Sequence, residues 1–148
     1  MKQSPHTNGA KPLVGYQALL NVLKFNEEGL IPAIIQDEPT RQVLTLCYLN
    51  VQAIEQSLKT GTVYLYRRSQ RRLMQKGETS GHIQIIREVW VDCEGKSLLL
   101  IVRQHVAACH VGYFTCYYRR LGKEGRVTTV GRRVFDPAKI YTSGHVAT

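Results

Sequence analysis

Cys93, Cys109 and Cys116 are the residues whose type and spacing best suit chemistry. Cys93 lies in the run Val91-Asp92-Cys93-Glu94-Gly95-Lys96. Cys109 precedes His110 in Ala107-Ala108-Cys109-His110-Val111-Gly112, and Cys116 follows seven residues later. Thiolates are soft ligands that bind zinc at about 2.3 Å, and three protein ligands with one open position make a catalytic site. Zinc held in that way lowers the pKa of a water to about 7 and so makes hydroxide available at neutral pH. His110 is then a fourth ligand or a proton shuttle beside the metal. No CxxC pair is present. Spacing alone therefore also accommodates three buried thiols acting as small apolar side chains. Cys47 stands inside an apolar run and is expected in the core.

A second group of polar residues runs from Arg67 to His82 and contains Arg67, Arg68, Arg71, Arg72 and Lys76. Cationic donors there, with the Thr79 and Ser80 hydroxyls and amides flanked by glycine, suit a phosphate group. By residue type alone the same stretch also reads as a solvated basic loop. His82 reads as an ordinary histidine at a strand edge, and His6 and His145 lie in terminal stretches that carry no functional weight.

The formal net charge of +9 on 148 residues requires an explanation. A positive field around a site for an anionic ligand is one. Nucleic-acid binding is the other, but no module signature for it is present. No apolar run approaches the roughly 18 residues of a membrane-spanning helix. Residues 1–12 are polar and lack the apolar stretch of a secretory signal. The four cysteines are therefore expected in a reducing, cytoplasmic setting, where clustered thiols serve metals or chemistry.

The elements that must position these groups fit one domain, from residue 15 to 143, between tails at 1–14 and 144–148. Tyr16, Leu19, Leu20 and Leu23 recur at helical spacing and predict a short helix over 15–24. Gly29 and Pro32 break the pattern. Strands are expected at 33–36 and 43–49, with a turn at 37–40 between them. Asn50 is placed to cap a helix over 51–59, which Gly61 stops. Further strands are expected at 63–68, 82–91, 98–102, 113–118 and 127–135. The predicted architecture is a β-rich α+β domain with one or two helices.

Several separate stretches resemble the phosphoribosyl-AMP cyclohydrolase family of histidine biosynthesis. Gly29-Leu30-Ile31-Pro32-Ala33-Ile34 with Gln36-Asp37 is similar to the family's opening strand, and Leu49-Asn50 with Ala53-Ile54 to its helix. Lys76-Gly77-Glu78-Thr79-Ser80-Gly81-His82 matches a specific family stretch. Ala108-Cys109-His110, Gly112 and Cys116-Tyr117-Tyr118-Arg119-Arg120 match the second metal loop, and Phe135-Asp136-Pro137 with Ile140-Tyr141 the usual ending. The resemblance implies a folded sheet of about five strands forming a pseudo-barrel in an intertwined homodimer. It implies zinc on Cys93, Cys109 and Cys116, the first cysteine coming from one subunit and the other two from its mate. It implies hydrolysis of N1-(5-phosphoribosyl)-AMP between N1 and C6, with His110 as the proton-transfer group. The phosphorylated purine nucleotide is expected on Arg68, Ser69, Lys76, Glu78, Thr79 and Ser80.

The chain departs from the family pattern beside its first cysteine. The resemblance implies a magnesium site on three aspartates around that cysteine. Here Asp92 is kept, Glu94 replaces the second and Lys96 replaces the third. An ammonium repels a hard cation rather than ligating it. Tyr64-Leu65-Tyr66-Arg67-Arg68-Ser69-Gln70, Met74, Val111, Tyr113 and Phe114 also depart from the pattern, on the expected substrate face. Two other readings follow from these departures: a divergent paralogue hydrolysing another purine nucleotide, and a non-catalytic zinc protein that binds nucleotide or nucleic acid.

Overall fold

A computed structural model describes residues 9–140. The terminal stretches, with His6, Tyr141, His145 and the expected tail at 144–148, lie outside the described residues. The elements are α1 (Tyr16–Val22), β1 (Ile31–Asp37), β2 (Val43–Leu49), α2 (Val51–Thr60), β3 (Tyr64–Arg67) and β4 (Arg72–Gln75). They continue with β5 (Gln84–Val91), β6 (Leu98–Gln104), β7 (Arg119–Leu121), β8 (Val127–Thr129) and α3 (Pro137–Ile140). No helix among them is long and apolar enough to cross a membrane.

The main sheet runs β2-β1-β6-β5. Its two central strands, β1 and β6, are parallel, and each pairs antiparallel with its outer neighbour. Strand alternation sends Ile31, Ala33, Ile35 and Asp37 of β1 into the interior. The three apolar ones meet Leu98, Leu100 and Val102 of β6, Leu44 and Leu49 of β2, and Ala53, Ile54 and Leu58 of α2. Two separate ribbons, β3–β4 and β7–β8, complete the strands. The domain is thus the β-rich α+β unit that the strand count predicts.

Local chemistry explains the elements that match expectation. The Asn50 side-chain oxygen accepts from the Ala53 amide at 2.8 Å, capping α2. Gly61 ends α2 at φ 74°, its amide donating to the Ser57 carbonyl. Pro32 lies inside β1 rather than ahead of it. It pairs with Tyr48 of β2, whereas the β1–β6 ladder starts at Ala33, so the missing proline N–H costs no sheet bond on that side. Leu13 donates to the Leu58 carbonyl at 2.7 Å, so part of the stretch expected as an N-terminal tail is docked on α2.

Three expectations need correction. Residues 113–118 form no strand, because their backbone groups serve a loop: the Phe114 and Tyr113 carbonyls accept from Ala108 and Cys109, and Cys116 donates to Leu44. The strand expected over 127–135 stops at Thr129, because Val130 and Gly131 both donate to the Tyr118 carbonyl instead of a ladder. The basic stretch is not all loop, since Leu73 and Met74 belong to β4, which pairs with β3.

The turn between β5 and β6 is seated on the segment after α1. Lys24 donates to the Gly95 carbonyl at 2.8 Å. A Cβ on Gly95 would lie 2.1 Å from the Val22 carbonyl oxygen, and φ there is +72°. Gly95→Ala therefore meets both a backbone clash and left-handed strain. It is expected to lower stability by about 2 kcal/mol or more, measured as a shift in the urea midpoint with an unchanged m-value.

Candidate active site

After β6 the chain enters a loop carrying Cys109, His110 and Cys116, and five contacts fix its course. Gln104 donates through its side-chain amide to the Phe114 carbonyl at 2.7 Å. The Thr115 hydroxyl donates to Val43 at 2.7 Å, and the Cys116 amide to Leu44 at 2.8 Å. Gly112 sits at φ +100° with its carbonyl accepting from Val134, and a Cβ there would strike the Phe135 oxygen at 2.4 Å. Finally, the Lys76 Nζ donates to the Ala108 carbonyl at 2.7 Å. That last bond joins the cysteine loop to the basic stretch.

The basic stretch itself folds tightly where it meets the cysteine loop. Gly77 adopts φ +86°, and a Cβ there would lie 2.4 Å from the His82 backbone, so residues 77–82 close on themselves. Gly81 donates to Gly77 at 2.7 Å, and the His82 amide to the Ser80 hydroxyl at 3.2 Å. Between the two loops lies a cleft of about 90 Å³. Arg67, Lys76, Glu78, Thr79 and Ser80 line one side, and Cys109 and His110 the other, with His82 and Met74 completing it. Glu78 is ion-paired with Arg72.

The structure thus brings together Lys76, Glu78, Thr79, Ser80, Cys109 and His110 from the expected set. Cys116 lies close enough for the Cys109 thiol to influence its own. Arg68 and Ser69 stand outside the cleft, in an adjoining open groove with Cys47, Tyr48 and Tyr66. Arg68 lies over the Tyr48 ring at 4.1 Å, and Arg67 lines both cavities. Cys93, Asp92 and Glu94 lie in the β5–β6 turn, at the other end of β6. Seven residues of strand separate the ends, about 23 Å. Among the described residues no three histidine, cysteine or acidic side chains of one chain gather into a metal cage.

Sequence reasoning discounted His82 and counted Arg67 only as one of the basic cluster. Arg67 and His82 line the cleft, and the only signal for His82 was its place at the end of the Lys76–His82 stretch. Cys47 packs against the core as expected, with Lys76 and Cys116 also near it: burial pushes its thiol up to about 12, the Lys76 charge opposes the rise and Cys116 adds to it.

The electrostatics follow from the packing. Burial raises the Cys116 thiol, with the Thr45 side chain and Lys76 opposing and the Cys109 thiol adding to the rise. Partial desolvation holds the His110 imidazole below its ordinary value, helped by the Lys76 and Arg67 charges. At neutral pH His110 is therefore an uncharged base facing the cleft. In the β5–β6 turn, the Ser97 hydroxyl and then the Lys96 amide hold the Asp92 carboxyl down.

His82 packs edge-on against Phe135, ring centroids 4.7 Å apart. Burial lowers its pKa below 6.5, with Lys76 and His105 lowering it further. The folded state then binds this proton less readily than the unfolded chain, so stability is complete above pH 6.5 and is lost as pH falls below it. His82→Gln is expected to flatten that part of the stability profile between pH 7 and 5, measured by urea midpoints across the range.

Comparison with known proteins identifies the family. A family profile described as phosphoribosyl-AMP cyclohydrolase matches residues 45–118, which include Lys76–His82, Cys93, Cys109 and Cys116. The chain is 48% identical over 122 residues to the phosphoribosyl-AMP cyclohydrolase of Pelotomaculum thermopropionicum, covering 82% of this chain and 95% of that protein. It is 45% identical over 132 residues to the phosphoribosyl-AMP cyclohydrolase of Methanosarcina barkeri, covering 89% and 95%. A histidine biosynthesis bifunctional protein of Thermoanaerobacter pseudethanolicus is 44% identical over 124 residues, which are 83% of this chain and 56% of that longer protein. With the cysteine loop and the Lys76–His82 stretch facing each other across one cleft, this chain belongs to the phosphoribosyl-AMP cyclohydrolase family, hydrolases of histidine biosynthesis.

Proposed function

We propose that the chain opens the purine ring of N1-(5-phosphoribosyl)-AMP by hydrolysis between N1 and C6, using one zinc ion per subunit in a homodimer. The observation that carries this reading is the cleft in which Cys109, beside Cys116, faces Lys76, Thr79 and Ser80. Two adjoining thiols suit a soft metal, and the third, Cys93, is exposed at the opposite end of β6. An exposed thiol so placed is free to complete the site of a second subunit. The cleft volume of about 90 Å³ points the same way. Ligand pockets usually measure about 300–1,000 Å³, so one chain alone encloses only part of such a nucleotide.

The reaction adds one water across the N1–C6 bond, oxygen to C6 and a proton to N1. Cys93, Cys109 and Cys116 would hold the zinc, which when bound would supply Lewis acidity for ionising a water near neutral pH. His110, uncharged at the cleft mouth, accepts a proton from the attacking water and returns it toward the departing nitrogen. Lys76 holds the cysteine loop through Ala108 and adds positive charge near the cleft. Thr79 and Ser80 offer hydroxyl donors to a phosphate, and Arg67 and Arg68 extend the cationic surface into the neighbouring groove.

Purified protein is expected to bind one zinc per chain and to convert phosphoribosyl-AMP. Cys93→Ala and Cys109→Ala should each reduce turnover by more than about a hundredfold. Mixing those two inactive variants under exchange conditions should restore about a quarter of the wild-type sites, because half the dimers then hold one complete site. No turnover by zinc-loaded wild-type protein would overturn the substrate assignment. Absence of rescue in verified mixed dimers would overturn the shared site.

A further inference from the structure

The β5–β6 turn carries Glu94 and Lys96, two of the departures from the family pattern, and its geometry bears on what the turn can bind. A magnesium ion requires oxygen ligands in near-octahedral geometry at about 2.0–2.1 Å. The Asp92 carboxylate already accepts from the Glu94 amide at 3.2 Å, the Lys96 amide at 2.8 Å and the Ser97 hydroxyl at 2.7 Å. Both of its oxygens therefore serve the turn itself. Glu94 is held by the Lys96 ammonium at 2.8 Å. The residues present do not suit magnesium: one carboxylate is engaged, the other is ion-paired, and position 96 carries a positive charge.

The same turn builds a different kind of site. Lys96 lines a pocket of about 260 Å³ with Lys24, Phe25, Asn26, Leu30 and Pro32, and none of these residues is acidic. The two lysines belong to one junction, because the Lys24 amide bonds Gly95 and Gly95 packs on the Val22 carbonyl. The Lys96–Glu94 pair is more than half exposed on both sides. Such a pair contributes only about 0–1 kcal/mol, so a phosphate displaces Glu94 at little cost. Lysine binds phosphate as a point charge, without needing a fixed planar fork.

We propose that this turn binds no magnesium and that Lys24 and Lys96 form a pocket for a phosphate group, Lys96 holding the position at which the family pattern has its third aspartate. That the phosphate belongs to the nucleotide substrate rests on the proposed function; the binding itself does not.

Isothermal titration calorimetry of the zinc-loaded protein tests it without any turnover measurement. Millimolar MgCl2 is expected to give no saturable heat with the wild type. Pyrophosphate, titrated in magnesium-free buffer, is expected to bind about tenfold more weakly to Lys24→Gln/Lys96→Gln. Lys96→Arg should keep wild-type affinity. Both lysines are exposed, so thermal melts of the variants are expected to match the wild type. Saturable magnesium binding by the wild type would overturn the proposal, as would equal pyrophosphate affinity in the double glutamine variant. Failure of the ring-opening assay alone would leave it standing.

Discussion

The bond from the Lys76 ammonium to the Ala108 carbonyl is the contact on which the site depends. It links two loops 32 residues apart in sequence, one carrying hydroxyl donors and the other the thiols. A hydrogen bond to a charged group contributes about 1.5–3 kcal/mol. Its larger consequence is geometric, because it sets the width of the cleft between Thr79–Ser80 and Cys109–His110. It also places a positive charge where that charge disfavours protonation of His110 and opposes the burial effect on Cys116. One lysine thus ties the two loops together and adds to the effect of burial on His110 while opposing it on Cys116.

The main sheet determines which groups can meet. Parallel pairing of β1 and β6 puts the start of β2 and the end of β6 at the same edge, so Cys116 bonds Leu44 where Cys109 enters its loop. The β5–β6 turn necessarily falls at the opposite edge, next to Leu30 and Lys24. A single copy of this topology cannot bring Cys93 to Cys109, because a full strand length lies between them. That separation is why the proposed site draws Cys93 from a second subunit, and it puts the turn carrying Lys96 beside that site.

Much of this was legible in the residues. The α2 boundaries followed from Asn50 and Gly61, whose capping roles are local and were recognisable without tertiary context. The β2 limits followed from a continuous apolar run. The failures were non-local. Residues 113–118 look like a strand by composition, but they turn back onto Ala108 and Cys109 within the loop and are tied to the remote Leu44. Likewise, Arg68 and Ser69 share the basic stretch with Lys76, yet the β3–β4 ribbon directs them into a different groove. His82 was discounted because a lone histidine carries little signal, and only the reversal at Gly77 brings it to the cleft. Lys96 is the reverse case, since the sequence alone marked it as the break in a metal pattern.

The proposed zinc site takes three thiols, two from the cleft and one from the distant turn. X-ray absorption at the zinc edge reads that ligand set directly. The account predicts three sulfur scatterers at about 2.3 Å with one nitrogen or oxygen neighbour, falling to two sulfurs in Cys93→Ala. A zinc environment of nitrogen and oxygen alone, or one unchanged by Cys93→Ala, would contradict it.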